Sequence, residues 1–275
     1  YYNTTGDRLT AIGAYALHDN TTGTYNTAVG RDSLQNNTTA NNNTAVGYAS
    51  LQTTTTGNGA NTAVGVNTLG ATTTGQDNTA SGVNALRLNT TGSSNTAIGR
   101  DALELTTASD DNTAVGYKAL AVSTSGHSNA ALGMGALVAD TTGDQNTAVG
   151  RDSGSGITTG SNNTCLGHQA GTSVAPGNVV TSSNNVCLGN NSVTDAFIKV
   201  DWTVTSDKRD KTDITAFTHG LSWINKLNPV TYRWDNRSDY ANGTPDGSKK
   251  GSRLNLGLIA QDELEVEKEH GYGDS

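Results

Sequence analysis

A serine and a lysine five residues apart, Ser206 and Lys211, are residue types that could support covalent chemistry in this 275-residue chain. A serine hydroxyl is a weak nucleophile until a base removes its proton, and a lysine can be that base once desolvation lowers its pKa. Five residues of separation in a loop allow the two side chains to meet. The residues between them, Asp207-Lys208-Arg209-Asp210, are charges of mixed sign and are also typical of a solvated surface. Taken alone, the pair favours a charged surface over a catalytic site.

Other residue types that could bind or react show no functional spacing. The histidines are scattered without the spacing of metal ligands, and no pair of carboxylates suited to glycan cleavage can be picked out. The sequence therefore predicts no metal site and no cofactor. The histidines are His18, His127, His168, His219 and His270.

The composition excludes a globular enzyme with one large apolar core. Thr, Asn and Gly number 43, 30 and 33, whereas Leu, Ile, Val and Phe make up only 17% of the chain. Such a low aliphatic share is half of the signature of disorder, but the other half, a high net charge, is weak here at −8. No apolar run approaches the roughly 18 residues of a membrane span. The acidic balance argues against nucleic acid as a partner.

Charged residues are unevenly distributed along the chain. Residues 1–205 contain 20 of them and residues 206–275 contain 22, with two of the three prolines and two of the three tryptophans. This shift predicts a repetitive shaft over 1–189, a β-rich neck over 190–205 and a conventional folded domain over 206–275. The chain opens at Tyr1 within the repeat pattern and without a signal peptide, so we expect it to be a fragment of a longer protein.

The phrase Asn-Thr-Ala-Val-Gly recurs with small changes at a period of 17 residues. One interval is 18 residues, and the last, which contains Pro176, is 22. Leu stands four residues after the glycine in eight copies. A fixed period distinguishes a repeat protein from a disordered chain. The glycines of the eleven copies are Gly13, Gly30, Gly47, Gly65, Gly82, Gly99, Gly116, Gly133, Gly150, Gly167 and Gly189.

Seventeen residues suit one coil of a parallel β-solenoid, or β-roll, because a pair of helices needs about 33 or more. We expect two short strands and two glycine-marked turns per coil, with coils stacked at roughly 4.8 Å. Identical residues then form columns, so one or two aliphatic residues per coil suffice. The predicted fold is mainly β, with about eleven coils followed by a small α+β domain. So narrow a coil buries little surface, and we expect several chains to associate.

The position two residues before the repeat glycine holds Ala in nine copies and Cys in two, Cys165 and Cys187. A side chain held this small indicates tight packing, either inside a narrow coil or against another chain. The two cysteines fall in neighbouring copies, so a disulfide is geometrically conceivable. Two small buried thiols in place of Ala are the favoured interpretation.

The repeat resembles the head of trimeric autotransporter adhesins, where similar Asn-(Ser/Thr)-x-(Ile/Val)-Gly repeats form a left-handed β-roll in homotrimers. The same motif is similar to segments of phage tail fibres. The resemblance covers roughly residues 1–190, although the coil here is a few residues longer than the usual adhesin repeat. It implies that this chain forms a homotrimer.

Three blocks in the C-terminal part resemble the self-cleaving intramolecular chaperone at the end of phage endosialidases, tailspikes and fibres. Residues 206–211 follow the pattern Ser-Asp-x-Arg-x-Lys, residues 227–234 follow Leu-x-Pro-Val-x-Tyr-x-Trp, and residues 257–261 follow Gly-x-Ile-Ala-Gln. The order of the three blocks carries the resemblance. The middle block is predicted to follow a short helix and a turn, and to form a strand.

The second resemblance implies roles for the domain and its residues. In that family the domain helps three chains to align and is then released by a cut. Carried over to this sequence, Ser206 is the nucleophile, Lys211 is its base, and the bond between Thr205 and Ser206 is cut. The family domain continues into long C-terminal helices, so the resemblance also implies a truncated domain in a chain that ends at Ser275.

A further set of candidate residues follows the repeat glycine and is predicted to form a row along one face. Such a row could bind an anionic surface glycan, although a solvated face is the simpler interpretation. Its members are Arg31, Tyr48, Arg100, Tyr117, Arg151 and His168.

These features together predict a homotrimeric phage tail fibre on the virion, with a host-surface glycan or protein as its receptor. The main alternative is the head of a bacterial surface adhesin at the cell surface. An ice-binding solenoid is more remote, because it needs alternate threonines on one flat face, whereas neighbours such as Thr21 and Thr22 point to opposite faces.

Overall fold

The computed structural model describes residues 2–57, 59–172, 179–194, 196, 226–233, 235, 244 and 246–269. The chain divides into two compact units, Tyr1–Ile198 and Lys199–Ser275. The first unit contains the repeats, and the second contains the three C-terminal blocks.

The repeats form a parallel β-solenoid, as their period predicts. Eleven three-residue strands form one sheet in sequence order, and neighbouring strands are parallel. The register is that of the repeat, since Ala28 lies opposite Ala45 and Val29 opposite Val46. The strands are β1 (Thr10–Ile12), β2 (Thr27–Val29), β3 (Thr44–Val46), β4 (Thr62–Val64), β5 (Thr79–Ser81), β6 (Thr96–Ile98), β7 (Thr113–Val115), β8 (Ala130–Leu132), β9 (Thr147–Val149), β10 (Thr164–Leu166) and β11 (Val186–Leu188).

Each coil has one strand among its described residues, so the expectation of two strands per coil was wrong. The rest of the coil is a series of turns, because positive φ angles recur at alternate residues: Gly30 (133°), Asp32 (60°) and Leu34 (47°). Strands need negative φ throughout. The turns still bond to neighbouring coils, since the Leu34 N–H donates to the Ser50 carbonyl at 3.0 Å. A left-handed leucine costs about 1 kcal/mol, and burying its side chain, worth about 2 kcal/mol, offsets that cost.

Two columns of aliphatic side chains fill the interior of the solenoid. The Ala two residues before the repeat glycine is fully buried from Ala28 onward, so this small residue packs inside its own coil rather than against another chain. The Leu four residues after the glycine forms the second column, which is also buried. The leucines are Leu17, Leu34, Leu51, Leu69, Leu86, Leu103, Leu120 and Leu137.

A column of buried asparagines explains why Asn stands four residues before the repeat glycine. The Asn78 backbone N–H and Nδ2 both donate to Asn61 Oδ1, at 3.0 and 3.1 Å, and Asn78 Nδ2 also donates to the Gly92 carbonyl at 2.9 Å. A carboxamide is suited to this position because it donates and accepts at once. The same bonds recur along the column, and they satisfy backbone groups that would otherwise be buried without partners.

The last coils keep the interior filled with different residues. Glycines, Gly154 and Gly171, replace the column leucine, and the buried side chains of Ile157 and Val179 occupy the space. A Cβ at Gly154 would lie 2.8 Å from Leu137 Cδ2 and 3.3 Å from Ile157 Cδ1. The side-chain volume lost at one position is therefore restored at another, as a close-packed interior requires.

The repeat glycine ends each strand in a conformation that other residues rarely adopt. Gly99 has a φ of 132°, and a Cβ there would lie 2.5 Å from the carbonyl oxygen of Gly116 in the next coil. A side chain is therefore excluded twice, by the backbone angle and by the neighbouring coil. The glycine also forms the corner between the strand and the first turn of the coil.

The C-terminal unit contains a two-stranded antiparallel sheet and a helix among its described residues. Strands β12 (Val230–Tyr232) and β13 (Asn255–Gly257) pair with Val230 opposite Gly257. Helix α1 (Ala260–Glu269) follows β13. The strand predicted from the alternation in the middle block is thus confirmed over Val230–Tyr232, and the short helix predicted before it falls mainly outside the described residues.

Asp140 is a fully buried carboxylate in the interior of the solenoid. It occupies the position that Asn37 and Asn89 hold in other coils. Its Oδ1 accepts a hydrogen bond from the Gly143 N–H at 2.7 Å, and its Oδ2 accepts one from Asn146 Nδ2 at 3.2 Å. Burial raises the pKa of Asp140 to about 7, although both hydrogen bonds act in the opposite direction.

We expect Asp140→Asn to remove a pH-dependent loss of stability. The pKa of Asp140 in the folded state lies above the unfolded value near 3.8. The protonated carboxyl therefore gives its full contribution to stability below about pH 4, and that contribution is lost as pH rises through about 7. The loss amounts to at most about 4 kcal/mol. In thermal melts between pH 4 and 8.5, the stability of the variant relative to the parent should therefore increase with pH.

The matched control is Asp111→Asn, which makes the same chemical change at an exposed position in an earlier coil. Its melting temperature should follow that of the parent across the pH range. Parallel pH curves for the parent and Asp140→Asn would contradict the assignment.

Candidate functional site

The outward face of the solenoid sheet carries a row of aliphatic side chains, with a residue in ten of the eleven strands. Successive residues of a strand point to opposite faces, so the buried Ala places the next residue on the outside. Eight of the ten members are exposed, between 36% for Val46 and 61% for Ile12, and Val29 and Val115 are half-buried. We call this set the aliphatic row: Ile12, Val29, Val46, Val64, Ile98, Val115, Leu132, Val149, Leu166 and Leu188.

The aliphatic row runs the length of the sheet. Eleven strands at about 4.8 Å spacing span roughly 50 Å. Ser81, in β5, is the polar interruption of the row. Scattered apolar residues are ordinary on protein surfaces, but a contiguous apolar patch of this length marks a site of interaction.

A second row on the same face consists mainly of threonines. Each strand begins with one, two residues before its aliphatic residue, except at Ala130 and Val186. The outward face therefore alternates threonine and aliphatic residues across its width. The threonine row comprises Thr10, Thr27, Thr44, Thr62, Thr79, Thr96, Thr113, Thr147 and Thr164.

The predicted surface row lies directly across the repeat glycine from the aliphatic row. The structure brings four of its six members together, as two pairs from adjacent coils. The Arg31 guanidinium carbon lies 5.9 Å from the centre of the Tyr48 ring, and Arg100 and Tyr117 repeat the same geometry at 5.9 Å. These distances are within the range of a cation–π contact.

Each arginine of the surface row also pairs with the aspartate that follows it, a contact the sequence reasoning missed. The Nε to Oδ2 distance is 3.2 Å for Arg31 and Asp32 and 3.1 Å for Arg151 and Asp152. The signal was present as a recurring Arg-Asp dipeptide. Each pair holds a flat guanidinium on the surface, and at two of the three sites, Arg31 and Arg100, an aromatic ring lies beside it.

Two of the three C-terminal blocks meet in the second unit. Strand β12 belongs to the middle block and β13 ends at the first residue of the third, so their pairing joins the two blocks. Leu227, Leu258, Ile259 and Val266 line a small cavity beside them. The blocks thus build one structural element.

The first of the three blocks contains the predicted processing residues. Thr205, Ser206 and Lys211 all lie outside the described residues. Among the residues that the structure does describe, no group of three or more His, Cys, Asp or Glu side chains is placed to hold a metal ion. No helix in the described part of the chain combines the length and hydrophobicity needed to cross a membrane.

Comparison with known proteins identifies the class of the C-terminal segment. Residues 206–272 match the family model for the chaperone of endosialidase. This segment, about a quarter of the chain, is a small chaperone domain of the endosialidase type. No curated protein and no solved structure matches the chain.

Proposed function

We propose that this chain is the shaft of a homotrimeric fibre, assembled with the help of its C-terminal chaperone domain. The observation that carries the proposal is the aliphatic row, which leaves an apolar stripe exposed over the length of an isolated solenoid. Because the stripe is narrow, it suits three copies that meet along a common axis, each contributing one row. A copy of the same chain also repeats its aliphatic residues at the same spacing, so contact continues over the full length.

The repeats create a problem of register that a chaperone domain can solve. If one chain slides past another by one coil, nearly every aliphatic residue meets an equivalent neighbour, and only the end contacts are lost. Sliding therefore costs little energy, and the repeats alone specify alignment weakly. A distinct domain at the end of each chain gives the three chains one common starting point.

The chaperone domain also exposes apolar side chains that association would bury. Leu256, in β13, is 76% exposed, and its neighbours Leu254 and Leu258 are exposed as well. Exposed leucines on a small unit favour contact with other chains. The family match supports this assembly role.

We assign the processing step to Ser206 and Lys211. Lys211 accepts the proton of the Ser206 hydroxyl, and the oxygen attacks the carbonyl carbon of Thr205. The bond to the Ser206 nitrogen breaks as that nitrogen gains a proton, and water then hydrolyses the ester at Thr205. The family match, which begins at Ser206, supports this assignment.

We propose that the surface row contributes to host attachment in a phage tail fibre. The Tyr48 and Tyr117 rings are 47% and 43% exposed, and each lies beside an arginine. An exposed ring with an adjacent guanidinium can stack on a sugar face and donate hydrogen bonds to its hydroxyl or carboxylate groups. A bacterial surface adhesin would use the same row, so the row does not distinguish these two settings.

Ice binding is a second candidate for the same outward face. The threonine row repeats at about 4.8 Å on a regular parallel sheet and does not include Thr21 or Thr22. This face presents Thr-x-aliphatic rather than Thr-x-Thr, and the aliphatic row favours association. The two functions exclude each other, because a trimer buries the face that ice would contact.

We expect the double substitution Ile98→Asp and Leu132→Asp to dissociate the trimer, because it places carboxylates in the apolar stripe. Light scattering should report three chains for the parent and one for the variant. The control is Val66→Asp with Met134→Asp, since those residues are similarly exposed but lie beyond the repeat glycine. A monomeric parent would contradict the proposal, and thermal hysteresis by that monomer would favour ice binding.

We expect the full-length protein to be cut between Thr205 and Ser206, and Ser206→Ala and Lys211→Ala to remain intact. The first variant removes the nucleophile and the second removes the base. Intact mass measurement after purification identifies the cut. Lys208→Ala, which removes a charge from the same run, should be processed like the parent, and cutting of Ser206→Ala would exclude the assignment.

We expect Tyr48→Ala with Tyr117→Ala to weaken binding of the trimer to host cells by about tenfold or more, since stacking on two rings is lost. Binding of fluorescently labelled protein to host cells measures the effect. Tyr15→Ala is the control, because Tyr15 is 53% exposed but lies outside the row, and its ring contacts His18 rather than an arginine. Equal binding by all three proteins would remove the row from the attachment site.

A further inference from the structure

Cys165 and Cys187 lie directly opposite each other in the last two strands of the solenoid. They pair in register between β10 and β11, at the position that Ala holds in the other nine coils. They are also the two cysteines of the chain. Both are free thiols, and both are buried.

The positions of the two cysteines are compatible with a covalent bond. Cα atoms opposite each other on neighbouring strands lie about 4.8 Å apart, inside the 4.4–6.8 Å range of disulfides. Both side chains point into the same coil interior, since the flanking Leu166 and Leu188 are exposed on the other face. Burial raises the pKa of the Cys165 thiol to about 12, and the adjacent Cys187 thiol acts in the same direction.

The solenoid interior beside the two cysteines lacks the buried column leucine of the earlier coils. Gly171 replaces the column leucine beside Cys165, and a Cβ at Gly171 would collide with the Cys165 sulfur. The larger thiol thus occupies room that the missing leucine leaves. In the last coil the equivalent residue, Val193, is 55% exposed, so it does not fill the interior beside Cys187 as a column leucine does.

The pair lies where the solenoid most needs an added restraint. Among the described residues, strand β11 pairs with β10 alone, whereas each of the strands β2 to β10 pairs with two neighbours. The interval that leads to it is 22 residues rather than 17. A bond between the two sulfurs would fasten this terminal coil to the body of the solenoid and close a loop of the unfolded chain.

We propose that Cys165 and Cys187 form a disulfide that fastens the last coil when the chain meets a small-molecule disulfide. The Cys187 thiolate, at the slightly exposed end of the pair, attacks one sulfur of the small molecule and displaces a thiolate. The Cys165 thiolate then attacks the Cys187 sulfur and displaces the second thiolate. The two protein thiols lose two protons and two electrons, and the small-molecule disulfide is reduced to two thiols.

The test equilibrates the purified full-length protein in a glutathione redox buffer, then blocks free thiols with an alkylating reagent under denaturing conditions. Intact mass should show no alkyl groups on the parent after the oxidised buffer and two after the reduced buffer. Hydrogen exchange within residues 179–194 should be about tenfold slower in the oxidised protein.

The controls are Cys165→Ala, Cys187→Ala and the double variant, which restore the residue found in the other coils and should therefore fold. Their hydrogen exchange in this segment should not respond to the redox buffer. Two alkylated thiols on the oxidised parent, a lasting glutathione adduct on one cysteine, or a cross-link between chains would each overturn the proposal. Because the readout is intramolecular, failure of the trimer proposal would leave this result unaffected.

Discussion

The stacking of one coil on the next, about 4.8 Å apart, determines which residue each position of the solenoid can hold. Each residue must fit the same residue above and below it, so every position has one fixed environment. The Asn column satisfies backbone groups between coils, the Ala and Leu columns fill the interior, and the repeat glycine allows the close approach at each corner. The low aliphatic content follows, because a coil this narrow has room for about two such residues.

The same constraint determines how the protein meets other molecules. A strand that buries Ala must expose its neighbour, and that neighbour is aliphatic in ten of eleven coils. The solenoid therefore has a filled interior, but an apolar stripe remains exposed on its outward face. Chains that carry such a repeating stripe associate readily, but the repeated contacts specify the register between the chains only weakly. In our account, the chaperone domain supplies the alignment that the repeats lack.

The period of the sequence was enough to predict about eleven coils, the parallel pairing of strands in successive coils and the register between them. The number of strands per coil could not be predicted, because Leu34 and its equivalents adopt positive φ, a conformation that leucine avoids unless stacking and burial impose it. The sequence also did not show whether the Ala two residues before the repeat glycine faces the interior or another chain; the structure shows that it is buried inside its own coil. Ile157 and Val179 were missed because they lie outside the repeated positions. Each fills a gap left by a preceding glycine, Gly154 or Gly171. The Arg-Asp dipeptides were visible in the sequence, but the sequence did not show that the two side chains of each dipeptide contact each other.

The mass per unit length of the assembled repeats distinguishes a trimer of solenoids from a single solenoid. One solenoid contributes a single 17-residue coil per about 4.8 Å of axis. Small-angle X-ray scattering from the purified full-length protein measures this ratio. We predict three coils per step, because three aliphatic rows meet along one axis. A value of one coil per step would show that the aliphatic row remains exposed and would contradict the association of three chains.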